Sequence, residues 1–360
     1  MGIMSAEESW AALVEGLRLA GERLAAQTPA LDPRERADGY RALLRALNNH
    51  LGRFEVDRER PELVPFNGWR QKFLMDNPDF RYWLADVRDD RRYRITGSLG
   101  DAVYQSITAY AGGRVANAAA TARIDSDRLT IDADGRFEVI LSRERPERAD
   151  WLVLPDGATA LWVRQFHRDA AVERLGWCRI DVLDEPPVPE SIDPERFERH
   201  LQRLGRAMST LPQVFTAAVA ADQEHPNEIR HWCEMTGGAA FTEPDIHYLR
   251  GSWELDEDEA LVIEGPVVPC RYWNVLLYSR FLNSLDYRSR RVSRTSGTAT
   301  LIDGRFRFVL AARDPGGHGD WLDTEGRRFG LFVMRWLQPE TIPSLPNVRR
   351  CRLGELVGGR

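Results

Sequence analysis

His318 sits in Gly316-Gly317-His318-Gly319, where bare neighbours let a ligand approach closely and an imidazole can exchange a proton near neutral pH. Asp323 follows five residues later and could orient that ring. Asp286, just before Tyr287, supplies a further carboxylate. These three are the candidate catalytic residues for acid–base chemistry. Trp273 and Tyr287 offer aromatic surface for the wall of an apolar pocket, with Arg271 and Asn274 as the polar groups that would orient a ligand. Each has a plainer reading beside it: a histidine exposed in a flexible turn, and aromatics that fill a core.

Other chemistries are poorly served. His225, His231, Cys233, Glu234 and His247 fall within 23 residues, but their spacing matches no zinc finger or metalloprotease, so no metal ligand is assigned. The chain has no HExxH, GxSxG or P-loop, and no GxGxxG before a helix. No cofactor is expected. Lys72 is the one lysine, so any Schiff-base chemistry would have to use it. Gly112-Gly113 and Gly237-Gly238 read as turns.

Composition narrows the partners. At 360 residues, with 43% hydrophobic residues and 11 Trp, the chain can bury two ordinary cores. A net charge of -6 argues against a nucleic-acid partner, which calls for a basic face. Cys178, Cys233, Cys270 and Cys351 are scattered without a CxxC pair, as reduced thiols are. The first residues lack a basic and then apolar leader, and no apolar run reaches the ~18 residues of a membrane span. A soluble, cytoplasmic protein is expected, with homo-oligomerisation left open.

The elements that must position these residues occur twice. Asp134-Gly135-Arg136-Phe137 returns as Asp303-Gly304-Arg305-Phe306, Asp150-Trp151-Leu152 as Asp320-Trp321-Leu322, and Gly97 as Gly265. Pro78-Asp79-Phe80-Arg81-Tyr82 returns as Pro244-Asp245-Ile246-His247-Tyr248, so the two series are divergent copies of one unit in the same order. Alternation with period two, as in Tyr93-Arg94-Ile95-Thr96-Gly97, predicts strands, and each Asp-Gly predicts a hairpin tip. Short strands turning every ten or so residues predict an antiparallel sandwich over 77–168 and another over 243–340.

Helices precede each copy. Residues 1–56 form an N-terminal helical segment, with one stripe of Trp10, Leu13, Val14, Leu17 and Leu24 and a second of Tyr40, Leu43, Leu44, Leu47 and Leu51. Asp32 and Pro33 open the second helix. A Pro-rich joint at Glu185–Glu190 leads into connecting helices over 190–222, capped by Asp193, striped by Phe197, Leu201, Leu204 and Met208, and kinked at Pro212. The fold class is therefore α+β, two tandem β-sandwich units from an internal duplication, each preceded by helices.

Arg271-Tyr272-Trp273-Asn274-Val275 and Phe281-Leu282-Asn283-Ser284-Leu285-Asp286-Tyr287-Arg288 resemble the bacterial family catalogued as domain of unknown function 1214. Arg313-Asp314-Pro315-Gly316, Asp320-Trp321-Leu322-Asp323-Thr324 and Arg335-Trp336-Leu337 continue the match in order. It covers residues 245–340 well and the first copy loosely. The resemblance implies jelly-roll sandwiches, related to domain of unknown function 1254, and implies no catalytic residue.

The duplication also sorts the candidates. Residues present in both copies read as scaffold: Arg143 with Asp150 and Arg313 with Asp320 as clamps across a loop mouth, and Arg164 with Arg335 on one equivalent strand. Residues peculiar to the second copy, His318, Trp273 and Asn274 among them, are the better functional candidates. The leading expectation is a protein that binds a hydrophobic small molecule of lipid, terpenoid or steroid class. The alternatives are an acid–base enzyme acting on such a molecule, and a jelly-roll assembly protein.

Overall fold

Alternating apolar residues build the strands, and their pairing repeats from one half of the chain to the other. The computed structural model describes residues 5–54, 56–111, 119–147, 149–184, 193–232, 243 and 245–358. The first copy contains β1 (Val64–Pro65), β2 (Phe80–Asp86), β3 (Tyr93–Gly100), β4 (Tyr104–Ala111), β5 (Ala119–Asp125), β6 (Arg136–Ser142), β7 (Asp150–Val153), β8 (Ala158–Phe166) and β9 (Leu175–Val182). They form sheets ordered β1-β2-β8-β4-β5 and β7-β6-β3-β9. The second copy contains β10 (Ile229–His231), β11 (Ile246–Glu254), β12 (Glu259–Pro266), β13 (Tyr272–Tyr278), β14 (Ser293–Thr295), β15 (Leu301–Ile302), β16 (Arg305–Ala311), β17 (Asp320–Asp323), β18 (Phe329–Leu337) and β19 (Asn347–Arg352). Its sheets run β10-β11-β18-β13-β14 and β15-β16-β12-β19, with β17 on β16. The two orders match strand for strand, β15 being the one addition. The protein is mostly β, four sheets in two copies of one unit.

Within each copy the two sheets share a core. Ile107 and Val163 of one sheet meet Ile95 and Val139 of the other, all inaccessible, and in the second copy Trp253 meets Phe308 in the same way. Gly97 and Gly265 recur for a packing reason. A Cβ would come within 2.6 Å of Phe137 at the first and 2.9 Å of Phe306 at the second, because the cross-strand ring lies over each glycine. Asp303 and Gly304 both have positive φ, 49° and 71°, and form the tight hairpin between β15 and β16. At Asp134-Gly135 only the glycine is left-handed, and Asp132 closes the turn by accepting from the amides of Asp134 and Arg136. No strand directly precedes β6 there, so the expected hairpin is a capped turn.

The sheets are not wholly antiparallel. β7 runs parallel to β6 with Val139 opposite Asp150, and β17 parallel to β16 with Phe308 opposite Asp320. This register removes the expected clamps. Arg143 and Arg313 lie four and five residues beyond those partners, more than ~13 Å away at the usual strand rise. Arg143 pairs with Asp89 at 3.1 Å and Asp156 at 2.9 Å, and Arg313 with Glu257. Asp150 instead accepts from the amide and hydroxyl of Thr130, and Asp320 from those of Thr300.

The helices are α1 (Ala6–Gln27), α2 (Pro33–Leu51), α3 (Pro194–Glu224) and a short α4 (Leu353–Gly358). Ser5, Asp32 and Asp193 cap the first three by accepting from first-turn amides. Pro212 lies inside α3, which continues past it. Each apolar stripe is buried only in part: Leu13, Leu24 and Leu43 are buried, whereas Trp10, Val14, Tyr40, Leu44 and Leu51 are 41–66% exposed. Small residues take over the packing. A Cβ on Gly16 would fall 2.2 Å from the Gly205 carbonyl, so α1 and α3 cross backbone against backbone. A helical piece precedes each copy in sequence, but in space all three long helices cover the second. Leu13, Leu24, Leu43, Met208 and Phe215 share the cluster of Trp253 and Phe308.

Among the described residues no helix is long and apolar enough to cross a membrane. The Pro-rich joint, Gly112-Gly113, Cys233, Glu234 and Gly237-Gly238 lie outside the described residues.

Candidate binding site between the two copies

β8 turns Leu161 and Val163 into the first core, which leaves Trp162, Arg164 and Phe166 on its other face. The register sets Tyr82 and Ser106 beside Arg164 on the flanking strands. Duplication then produces a second such row, with Tyr248 and Asn274 beside Arg335. These surfaces face each other. Tyr272 of the second copy meets Phe80 and Phe166 of the first at ring separations of 5.6 and 6.1 Å. Asn274 Nδ2 donates to Asp79 Oδ2 at 3.2 Å, and Arg164 pairs with Glu243. An apolar rim of Phe80, Tyr104, Phe166, Tyr272 and Leu337 therefore borders a polar centre.

The two arginines differ in how their charge is met. Arg164, 3% exposed, has the Glu243 carboxylate and donates to Tyr110 Oη at 3.1 Å. Arg335 is 6% exposed and donates Nη2 to Tyr278 Oη at 2.9 Å, with the Tyr248 and Tyr278 rings 5.7 and 5.8 Å from its guanidinium carbon. Among the described residues no carboxylate stands within ion-pair distance of it, and its Nη1 has no partner. Burying a charge without a counter-charge is costly, and aromatic faces offset only part of that cost. On the same facing surfaces Ser106 Oγ, Thr108 Oγ1, Tyr272 Oη and Asn274 Oδ1 are also buried and unpartnered. Native interiors leave few such groups, and several converging ones mark a place built to meet something polar.

Asp79 completes the electrostatics. Burial pushes its carboxyl up to about 6, and the hydrogen bond from Asn274 and the charge of Arg335 act against that rise. A carboxyl poised there can hold or release a proton close to neutral pH.

The residues picked out from sequence scatter around this junction. Asn274 is part of it. Trp273, its neighbour, points to the opposite face of β13 and packs on Phe306 and Phe308 in the core, so the two cannot line one cavity. Arg271 ties the copies together, donating to the Val103 carbonyl at 3.0 Å and pairing with Asp127. His318 lies in the bend before β17 and Asp323 at the far end of that strand. The His318 carbonyl accepts from Arg307, and Asp323 pairs with Arg290 at 2.7 Å. Asp286 and Tyr287 gather beside Lys72 instead, where the Tyr287 ring lies 4.5 Å from its ammonium. Among the described residues no hydrogen bond or ion pair joins His318, Asp323 and Asp286 to one another. His231 Nδ1 and His247 Nε2 are 2.9 Å apart, and among the described residues no set of three metal-ligating side chains occurs.

The comparisons with known proteins accord with the duplication. The family described as Protein of unknown function (DUF1214) matches residues 84–169 and 251–341, once in each copy. A crystal structure of an uncharacterised protein from Burkholderia cenocepacia is 30% identical, covers 96% of this chain and 97% of its own, and superposes with a TM-score of 0.88. The chain belongs to the DUF1214 family. The VPA0106 protein from Vibrio parahaemolyticus, 12% identical over 94% of this chain and 100% of its own with a TM-score of 0.50, shares the fold alone. None of the curated proteins matches the chain.

The sequence reading set Arg164 and Arg335 aside because they recur. Their signal was nevertheless present: an arginine alternating with apolar residues on a strand, in both copies, and a recurring tyrosine that the sheet places on the adjoining strand.

Proposed function

We propose that this DUF1214 protein binds a small molecule at the junction of its two copies, each of which we read as a jelly-roll sandwich. The ligand has a hydrophobic body, which the rim of Phe80, Phe166 and Leu337 would contact, and one acidic group for Arg335. Ligand sites of this kind are largely apolar with a few fixed polar groups. The observation that carries the reading is Arg335 itself, buried, without a carboxylate partner and with Nη1 unmet. The expected small-molecule ligand thus gains a negative head, and the cytoplasm remains the proposed compartment.

Native mass spectrometry of the purified protein, with dodecanoate as the added probe, tests this. The parent should carry or take up an acidic amphiphile, and Arg335→Met should weaken dodecanoate binding by tenfold or more, as loss of a charged hydrogen bond implies. A parent that binds nothing, or a variant that binds equally well, removes the proposal.

An enzymatic reading is favoured by one feature, Asp79, whose carboxyl near 6 adjoins Asn274 at the same junction. It would act as general acid or base in place of His318, Asp323 and Asp286.

A further inference from the structure

Lys72 is fully buried, and its ammonium donates to the carbonyls of Ser284 at 2.7 Å and Leu285 at 2.8 Å. The Trp69 ring centre lies 4.2 Å from it. Three guanidinium groups surround the same indole: Arg41 and Arg45, one turn apart on α2, at 5.1 and 4.8 Å, and Arg288 at 3.8 Å. Four cations on one ring exceed what an aromatic face can satisfy.

The nearby carboxylates are engaged elsewhere. Asp76 accepts from the Ser284 amide and hydroxyl, and Asp286 from the Arg288 amide and the Ser289 hydroxyl. Glu325 accepts from the Asp286 amide and from Arg327. Asp38 stands 3.9 Å from Arg41 but 3.1 Å from Arg327. No ion pair joins Arg45, Lys72 or Arg288 to any described residue within 4.0 Å. Arg45 is 7% exposed, and its one side-chain hydrogen bond among the described residues, to Asn283 Oδ1, is 3.5 Å long. Burial holds the Lys72 ammonium down to about 7, and the charges of Arg45 and Arg41 push the same way against the attraction of Asp76. The cluster is short of negative charge.

Its geometry is held firmly. Leu74, Met75 and Leu282 have left-handed φ of 42°, 65° and 57°, and the Met75 amide donates to the Leu282 carbonyl at 2.7 Å, which locks the two loops together. Trp69 is half-buried while Arg41 and Arg288 reach solvent, so the cluster has an open mouth.

We infer that the cationic cluster around Trp69 binds a phosphate monoester group, received by the guanidinium forks of Arg41, Arg45 and Arg288. A tetrahedral dianion has enough oxygens for donors arriving from α2 and from the loop after β13, which a single carboxylate has not. This site does not depend on the junction reading, whose ligand answers to Arg335.

Isothermal titration of the full chain tests it with three probes: glycerol 3-phosphate in solution, phosphatidylcholine vesicles containing phosphatidic acid, and acetate. Binding of either phosphate probe but not acetate supports the site, and the probe that binds identifies a soluble ester or a lipid headgroup. Arg288→Gln, on an exposed side chain whose loss leaves the fold intact, should weaken that binding about tenfold, and Arg45→Gln at least as much. No binding of either phosphate probe, equal binding of acetate, or an unchanged affinity in Arg288→Gln overturns the inference.

Discussion

Asp79 gives the junction a pH dependence with a definite sign. An acid whose folded value is raised from 3.8 to about 6 holds its proton more tightly folded than unfolded. Its contribution therefore favours the folded state at low pH and is lost as pH climbs from about 4 to about 6, levelling off above. Asp79→Asn keeps an acceptor for Asn274 and removes the titration. The variant should be more stable than the parent at pH 7 by about 1–3 kcal/mol, with the difference shrinking toward pH 4. Urea midpoints of both proteins across that range decide it, and parallel curves would mean that the Asp79 carboxyl is not raised in the folded protein. At this scale sequence reading went furthest with residue type and least with direction. Trp273 and Asn274 stood out together as residues peculiar to the second copy, but neighbours on a strand face opposite ways, so one joins the core and the other the junction. His318 and Asp323 looked like partners at five residues, but Asp323 pairs with Arg290 and the His318 carbonyl accepts from Arg307.

Elements were legible where a period or a turn residue marked them. The alternation of β3, the Asp-Gly tip after β15 and the caps of α2 and α3 all follow from local chemistry that a sequence displays. Direction was not legible. β7 and β17 are four residues long, and nothing in such a run says that it will hydrogen-bond in parallel, so the arginine clamps were drawn across the wrong gap. Helix stripes misled for another reason: large apolar residues drew attention while Gly16, Ala20, Ala42 and Gly205 made the contacts. This inverts the usual ranking of substitutions. Gly16→Val should force α1 off α3 and cost about 3 kcal/mol or more, since neither backbone can yield. Leu44→Gln, at 66% exposure, should stay within about 0.5 kcal/mol of the parent. Guanidinium denaturation of the two variants provides the comparison; a tolerated Gly16→Val would deny the close crossing.

The whole molecule is less modular than its duplication suggests. The two copies are joined by Arg271 to Val103 and Asp127, by Arg123 to Asp245, and by Thr295 to the Arg168 carbonyl. The first helices of the chain close the core of the second copy and touch the edge of the first, where Asn49 donates to the Phe66 carbonyl. Leu13, Leu24 and Leu43 sit in one cluster with Trp273, Phe308 and Trp336, whereas the first copy keeps a cluster of its own around Val139 and Leu161. Removing residues 5–54 should therefore unfold the distant half and spare the adjacent one. The second copy would lose the cover of α1 and α2 over Phe215 and Phe281, and Arg45 and Arg34 would no longer meet Asn283 and the Glu325 carbonyl. Hydrogen exchange read by mass spectrometry on the shortened chain distinguishes the cases. Protection should persist in β3, β6 and β8 and fall in β13 and β18. If protection falls first in the neighbouring copy, or equally in both, the helices act on the fold through chain continuity or through the junction, and the separate core assigned to the first copy is not an independent source of its stability.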